Sequence, residues 1–532
     1  MVLNVCPHGN SLFFNGIFQR NEVSLRFRNP LDFENCRKPV SDSLGAFMRK
    51  ISKQEREVLV EGYLRTKPRN QQEDKRIKKT LQYSTAEGAI TSVSNSVANS
   101  YLTPFALSLG ATSPEIGLLA SVKNLAETTA QIPGALLTQY TSRKAIWLLS
   151  WISSRAFWIP VILLPFIFLQ NSVQILILLT GIITFLASLN GPAWTSLMGD
   201  IVPENIRGRY LGRRNMIAGF SGLLATLVAG SFLSLLGFSL IFAISTAIGL
   251  FGIIFFVKMY EPPLRTVFHY KHSVTFNRKE LVTSLRINKN FALFTLFIMA
   301  MNFAVHIAAP FFTVYMLKDL GITYEIFGLL IAFEALVSII CQPYWGKLND
   351  RYGERVIIFF TAAMVCLVPF FWFFVTAPAH ILLANAFSAF AWAGFDLVSF
   401  NFLIAAVPSE KRPQYIANHR FLRGVAVVGG ALLGAYIVQH FETAVFLGFY
   451  GIQIIFLISF MMRAVSLVFL AGVKEPDSRE HEIVPLRYVF WRAVAVEPAR
   501  GFTHAVEYTF HYPYELAKLK EKIQRRMKTR KE

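Results

Sequence analysis

Charge is scarce in this chain: 16% of its 532 residues are Asp, Glu, Lys or Arg, against about 25% in soluble globular proteins. Cysteine is scarcer still. Cys6, Cys36, Cys341 and Cys366 are scattered and form no CxxC, which excludes a disulfide framework as the organising device. Cys6, His8 and Cys36 fit no zinc spacing, so no metal is expected. A phosphate-cradling GxxxxGK[ST] loop is missing, which argues against ATP as the driving force. The first 30 residues hold no apolar core followed by a cleavage site, so no signal peptide is expected. No connector carries a His and Asp constellation of the kind a membrane-embedded enzyme would need; the expectation is a non-enzyme with no cofactor.

What fills the chain instead is apolar: 53% hydrophobic residues, including 49 Phe. They fall into runs long enough to span a bilayer, which takes about 20 apolar residues per helix. Spans are expected near 85–109, 114–137, 145–168, 173–198, 215–235 and 238–257, then near 291–316, 324–345, 356–376, 379–404, 421–438 and 446–469. The first is rich in Ser, Thr and Asn and is kept because the charge map requires it. Of the 53 Lys and Arg, 49 fall in alternate connectors and the two tails, only Lys318 falls on the other face, and Lys123, Arg155 and Arg463 lie within spans. Basic loops stay cytoplasmic, so both termini are expected inside the cell. Topology thus accounts for the net charge of +20, and no nucleic-acid partner is needed.

The chain repeats itself. TSPEIGLLASV from Thr112 and TYEIFGLLIAF from Thr323 each open the second span of a half. DIVPENIRGRY from Asp200 and AAVPSEKRPQY from Ala405 each close a fourth span, with Pro203, Arg207 and Tyr210 matching Pro408, Arg412 and Tyr415 at one offset of 205 residues. The expected organisation is a polar tail over 1–82, whose true start is Met1 or Met48, and a six-helix bundle over 83–257. A connector over 258–290, a second bundle over 291–470 and a basic tail over 471–532 follow. Parallel repeats of this kind place a substrate site at their interface, near the midplane.

The connector GKLNDRYGER carries Gly346, Asp350, Arg351, Gly353 and Arg355 in a G-x-x-x-D-R-x-G-x-R pattern. This resembles the connector motif of the major facilitator superfamily, as do the run Asp200, Arg207, Gly208, Arg209 and the YEPP sequence from Tyr260. The resemblance covers about residues 83–475 and implies an all-α polytopic membrane protein of twelve helices in two pseudo-symmetric six-helix bundles. In that family the motif implies a gate latch, with Asp350 capping the next helix and pairing with an Arg; the alternative is a tight turn alone. The first-half copy keeps Gly134, Arg143 and Lys144 but has Thr138 where the Asp should stand. The resemblance also implies a cavity lined by the first, fourth, seventh and tenth spans. Segment 5, GFSGLLATLVAG from Gly219, lacks the Gly-Pro that antiporters of the family carry.

Ionisable groups inside the bilayer are expensive, on the order of 2.5–3.5 kcal/mol each, and are functional candidates by default. Lys123 and Glu127 are four apart on one helix face and can pair there or act in the cavity. Arg155 either neutralises Glu127 or lines the cavity, and Asp396 either pairs with Lys411 or Arg412 or does the same. Glu334 falls within a residue of the counterpart of Lys123 by the repeat register, so the two could form an opposite-charge pair across the axis. A carboxyl withdrawn from water gives up its proton nearer neutrality, which makes Glu127 and Glu334 the proton-site candidates. Asn95 and Asn99 form a polar stripe that Asn302 and His306 repeat in the other half. Lys123 with Arg155 suits an anionic solute unless both are neutralised internally.

The functional expectation is a monomeric, plasma-membrane secondary carrier of a small solute, with a proton as coupling ion. The alternatives are a multidrug or metabolite efflux carrier, and a receptor or sensor on the same fold. The eight Lys and Arg from Lys518 to Lys531 form either a solvated tail or an interfacial segment drawn to anionic lipid. The topology makes a direct prediction. In a background with all four cysteines replaced by Ser, Asp350→Cys reacts with a membrane-impermeant thiol reagent only after the inner face is exposed; labelling of intact cells contradicts the charge map.

Overall fold

The computed structural model describes residues 71–167, 170–202, 207–262, 285–407, 412–441 and 451–475. Among them the ordered elements are helices: α1 (Gln71–Ser108), α2 (Ser113–Tyr140), α3 (Arg143–Ala156), α4 (Trp158–Ile167), α5 (Ser172–Ser188), α6 (Asn190–Ile201) and α7 (Arg207–Val257) in the first half. The second half has α8 (Lys289–Val314), α9 (Tyr324–Tyr352), α10 (Glu354–Phe373), α11 (Pro378–Ala405), α12 (Arg412–Phe441) and α13 (Gly451–Ala471). Residues 1–70 and 476–532 of the two expected tails, with Cys6, Cys36 and the segment Lys518–Lys531, lie outside the described residues, while 71–82, expected as tail, belong to α1.

Nine stretches among the described residues are long and apolar enough to cross a membrane. One of them, Tyr210–Val257, runs for 48 residues, about 70 Å at 1.5 Å per residue, more than twice a bilayer core. Gly237, at φ 73°, breaks it into two spans, because only glycine takes that left-handed conformation without steric cost. The apolar criterion passes over α1 and α2, which are long enough but too polar. Counting these, twelve spans are accommodated, with α3–α4 and α5–α6 each forming one broken span.

Local signals explain the helix starts. Thr112 and Thr323 sit at the N-caps of α2 and α9, the Thr323 hydroxyl accepting from the Ile326 amide at 3.4 Å. Ser142 and Asn288 cap α3 and α8 by accepting from the amides of Ala145 and Phe291, at 3.0 and 2.9 Å. Such caps satisfy amides the helix leaves unpaired. Exposed apolar side chains such as Leu149, Phe166, Leu178, Leu235 and Leu383 form the face that lipid covers.

Helix α1 is polar because helices, not lipid, surround it. Ser94 packs on Gly249 and its carbonyl accepts from Ser245 at 3.2 Å, Ser96 packs on Gly222, and the Tyr101 hydroxyl donates to the Thr226 carbonyl at 2.7 Å. Glycines on α7 let the two backbones approach, as small residues do in membranes.

The two halves meet through α2 with α12 and α7 with α9. At the end away from the basic turns, one apolar cluster runs through both halves, from Tyr101, Phe105 and Phe242 to Ile307, Phe311 and Phe456. At the basic end the clusters are separate. One holds Trp147, Trp151, Ile201 and Phe256 of the first half, the other Phe291, Trp345, Tyr352 and Tyr415 of the second. The halves therefore share one apolar cluster at the far end and keep separate ones at the basic end, and we read the interface as parted there.

The seal depends on close packing. A Cβ on Gly328 would lie 3.3 Å from the Gly230 Cα and 2.5 Å from the Tyr101 hydroxyl. Gly328→Val is expected to cost about 1–3 kcal/mol by overpacking, read as a lower thermal midpoint of the purified protein. Gly212→Ala, where a Cβ meets nothing within 4 Å, should cause no loss.

Candidate functional site

The parted interface exposes a polar wall on α1. Asn95 and Asn99 are exposed midway along a helix bounded by α2, α3 and both halves of α7, so their exposure faces the gap. Each holds a cation through its amide oxygen. Arg155 donates from Nη2 to Asn95 Oδ1 at 2.7 Å, and Lys123 donates from Nζ to Asn99 Oδ1 at 2.7 Å. Arg155 is only 4% exposed, lies 4.0 Å over the Trp151 ring, and keeps a buried Nε without a partner.

The second half supplies a different wall. Asn302 accepts from Arg423 Nε at 3.0 Å and spends its own amide NH2 on the Ile298 carbonyl at 2.9 Å. The His306 ring bonds the Asn302 carbonyl at 2.8 Å. Glu334 is half-buried midway along α9, with the Ser388 hydroxyl 3.5 Å away. Asp396 is exposed and lies within the electrostatic reach of Arg423.

Several expected partners are not brought together. Among the described residues the ion pairs are Arg143 with Asp200, Arg143 with Glu261, and Arg214 with Glu87. Lys123 and Glu334 therefore form no cross-axis pair in this state: Lys123 turns instead to Asn99 on the adjacent helix. Glu127 acts on Lys123 electrostatically but is outside ion-pair contact. Arg155 does not neutralise Glu127, because Asn95 and Trp151 hold it.

Two of the groups escaped the sequence reading. Arg214 and Arg423 counted there as connector cations, one just before and one just inside apolar runs that begin at 215 and 421. The helices begin earlier, at Arg207 and Arg412, so both side chains project from within helices: Arg214 is largely buried, and Arg423, though exposed, reaches Asn302. Arg214 pairs with buried Glu87 at 2.9 Å, bonds the Ser84 carbonyl at 3.1 Å and lies 4.6 Å over Trp194. Its mate at the 205-residue offset is His419, which meets Thr295 at 3.1 Å. The same contact between first and fifth spans is thus ionic in one half and neutral in the other.

At the basic end, each half closes with the same device. Arg143, 1% exposed, is held by Asp200 and Glu261, and its backbone amide donates to Glu261 Oε1 at 2.9 Å. Lys144 donates to the carbonyls of Val257 and Met259. In the second half Glu475 accepts from the amides of Glu354 and Arg355, both at 2.9 Å. The start of α10 is therefore capped by a carboxylate from beyond α13. The signal was a repeated Glu-Pro, at Glu261–Pro262 and Glu475–Pro476. Burial, with the adjacent Glu354 carboxyl, pushes Glu475 up to about 7. Thr138 bonds the Ala135 carbonyl within its own helix, and Gly134 packs within van der Waals distance of Leu189. Gly346 stands in α9, and Gly353, at φ 83°, ends it; Arg351 and Arg355 are exposed. The side chains of Asp350, Arg207 and Arg209, with the Gly208 position, lie outside what is described.

Glu87→Gln leaves the Arg214 charge buried without a counter-ion, a change that costs about 3–5 kcal/mol in comparable buried pairs. The double variant Glu87→Thr with Arg214→His copies the Thr295–His419 contact of the other half. It should recover much of the thermal midpoint that the single change loses; no recovery would show that the two contacts are not equivalent.

The family model of the Major Facilitator Superfamily matches residues 88–307 and again 292–510. Among known sequences, the chain is 24% identical over 166 residues to an uncharacterised transporter of this type, YitZ of Bacillus subtilis, covering 30% of this chain and 97% of the relative. It is 25% identical over 261 residues to MJ1560 of Methanocaldococcus jannaschii, covering 48% of this chain and 64% of that protein's length. Among solved structures, a D-xylose–proton symporter superposes with a TM-score of 0.58 at 15% identity, covering 76% of this chain and 98% of the other. A variant of the nucleoside transporter NupG gives 0.57 at 16% identity, with 74% and 100% covered. A POT-family transporter in complex with 5-aminolevulinic acid gives 0.57 at 13%, with 74% and 96%. Two successive matches to the family model, one per half of a repeated twelve-span bundle, establish that the chain belongs to the Major Facilitator Superfamily of transporters.

Proposed function

We propose that this transporter is a secondary active carrier. It moves a small solute by alternating access, coupled to a proton, as a monomer in the plasma membrane with both termini cytoplasmic. One observation carries the reading. The halves share an apolar seal at one end only and present polar side chains to each other where they part. Such an arrangement is one of the two states that rocking about a fixed midplane site requires. The charge map makes the parted end the inner one.

Glu334 is the coupling group this reading favours. It is a carboxyl midway along a membrane helix, with no cation in ion-pair contact among the described residues and one weak hydroxyl neighbour. Gaining or losing a proton there changes the charge of the gap wall by a full unit that nothing adjacent offsets. Glu127 is the weaker candidate, because Lys123 is within its field.

The test uses purified protein in liposomes loaded with a pH-sensitive dye. D-xylose, a nucleoside and 5-aminolevulinic acid, the solutes named with the structural neighbours, form the first panel. A carried solute should bring protons with it. Glu334→Gln should reduce gradient-driven accumulation by more than about tenfold, a loss of 1.4 kcal/mol or more, while solute exchange without a gradient persists. Undiminished gradient-driven uptake in both Glu334→Gln and Glu127→Gln removes the proton-site assignment.

A further inference from the structure

We infer that the carried solute bears a negative charge, a carboxylate or a phosphate, and that it is received by Asn95 and Asn99 with Arg155 and Lys123 behind them. This rests on the carrier reading above and names the class of its substrate.

The amides are the first part of the case. An asparagine side chain has one end that accepts and one that donates. Because Arg155 and Lys123 can only donate, both amide oxygens must face the cations at 2.7 Å. The NH2 of each is thereby turned away, and both side chains are exposed to the gap with no partner for that NH2 among the described residues. The two residues are four apart, one helical turn, so the donors are about 6 Å apart on one face. A wall of oriented N–H donors is suited to an anion and unsuited to a cation.

The charges behind the wall are the second part. A buried cation normally has a carboxylate against it, since an unpaired one is costly. Arg155 is 4% exposed, and its contacts are an uncharged amide and an indole ring. Its Nε is buried without a partner, facing Gly249. Lys123 is offset only in part by Glu127, one turn along the same helix. Asparagine holds these cations in place without cancelling them, which aspartate at the same positions would do. The other half differs. Arg423 has Asp396 within its field, and the Asn302 NH2 is already used by the Ile298 carbonyl. Arg463 of the second half, 1% exposed, is also held by neutral groups, the Ser459 hydroxyl and the Val365 carbonyl; the positive wall of the first half is distinguished by its exposed amides, whose NH2 groups are unspent among the described residues.

The experiment compares matched solutes on the full-length purified protein at constant ionic strength. Glycerol 3-phosphate is set against glycerol, D-xylonate against D-xylose, and uridine 5′-monophosphate against uridine, with thermal unfolding as the readout. At least one anion should raise the unfolding midpoint where its neutral mate does not; the phosphate and carboxylate arms tell the two chemistries apart. Asn95→Asp, which keeps the shape and cancels the Arg155 charge, should weaken that anion by more than about tenfold without lowering the unliganded midpoint, and Arg155→Gln should do the same. Arg155→Lys should retain part of the effect. Equal response to neutral mates, no response to any anion, or an Asn95→Asp variant that binds the anion as before overturns the inference. Flux in liposomes separates the two readings. A neutral solute that is bound and carried removes the anion site and leaves the carrier, whereas an anion that is bound but never carried does the reverse.

Discussion

A polar helix can stand in a bilayer only where other helices take the place of lipid around it, because hydrocarbon offers no partner to an amide or hydroxyl. Helix α1 meets that condition, and most of the first half is arranged to satisfy it. Glycines on α7 admit Ser94 and Ser96, the Tyr101 hydroxyl reaches a carbonyl on α7, and Glu87 finds Arg214. Two side chains are left over, Asn95 and Asn99, on the face that no helix covers. Their exposure defines the gap as much as the parted clusters do.

The repeat shows which features serve the scaffold and which do not. Threonines open the second span of each half, and Glu261 and Glu475 reach from behind the last span of each to amides at the start of the third. These are matched in position and in chemistry, as helix ends need the same amides satisfied in either half. Elsewhere the positions match and the chemistry diverges. Glu87–Arg214 faces Thr295–His419, and the stripe Asn95, Asn99 faces Asn302, His306. Lys123 has a carboxylate, Glu334, as its register mate. A scaffold is indifferent to which half carries a charge, whereas a solute with distinct ends is not. Divergence at matched positions therefore collects around the gap.

Much of this was legible in the amino-acid sequence because membrane insertion writes itself in long apolar runs and in the placement of Lys and Arg. The spans and their orientation follow from those two patterns, the repeat from matched segments such as those at Thr112 and Thr323, and the family resemblance from the connector at Gly346–Arg355. What stayed hidden follows from the same rule. Apolar runs mark where lipid begins, not where a helix begins, so Arg214 and Arg423 read as loop residues although α7 starts about two turns before the one and α12 about three turns before the other. Partner choice was also out of reach. By spacing, Lys123 belongs with Glu127; by three-dimensional proximity it belongs with Asn99, since a lysine stem can turn across to a neighbouring helix. The cross-axis pair with Glu334 followed from treating the halves as superposable at a point where the gap holds them apart.

The two ends of the bundle are held by unlike forces, and this bears on how it can move. The far end is joined by a continuous apolar cluster with backbone-to-backbone contact at Gly230 and Gly328, a contact that a gap of about 0.5–1 Å already weakens by about a quarter to a half. At the basic end, the described ionic contacts tie helices within a half: Arg143 to Asp200 and Glu261, and Glu475 to the start of α10. None of these crosses the gap. Each half can therefore tilt as one body about α2–α12 and α7–α9 while its own caps stay closed. The groups whose surroundings change in such a tilt are those left facing the gap: the α1 asparagines with their two cations, and the carboxylates Glu127, Glu334 and Asp396. A positive wall and an acidic wall brought together attract each other at short range. Under the proposed reading, an anion seated on the first wall would screen that attraction and a proton on Glu334 would weaken it, so that solute and proton would act on the same closing step, as coupling requires.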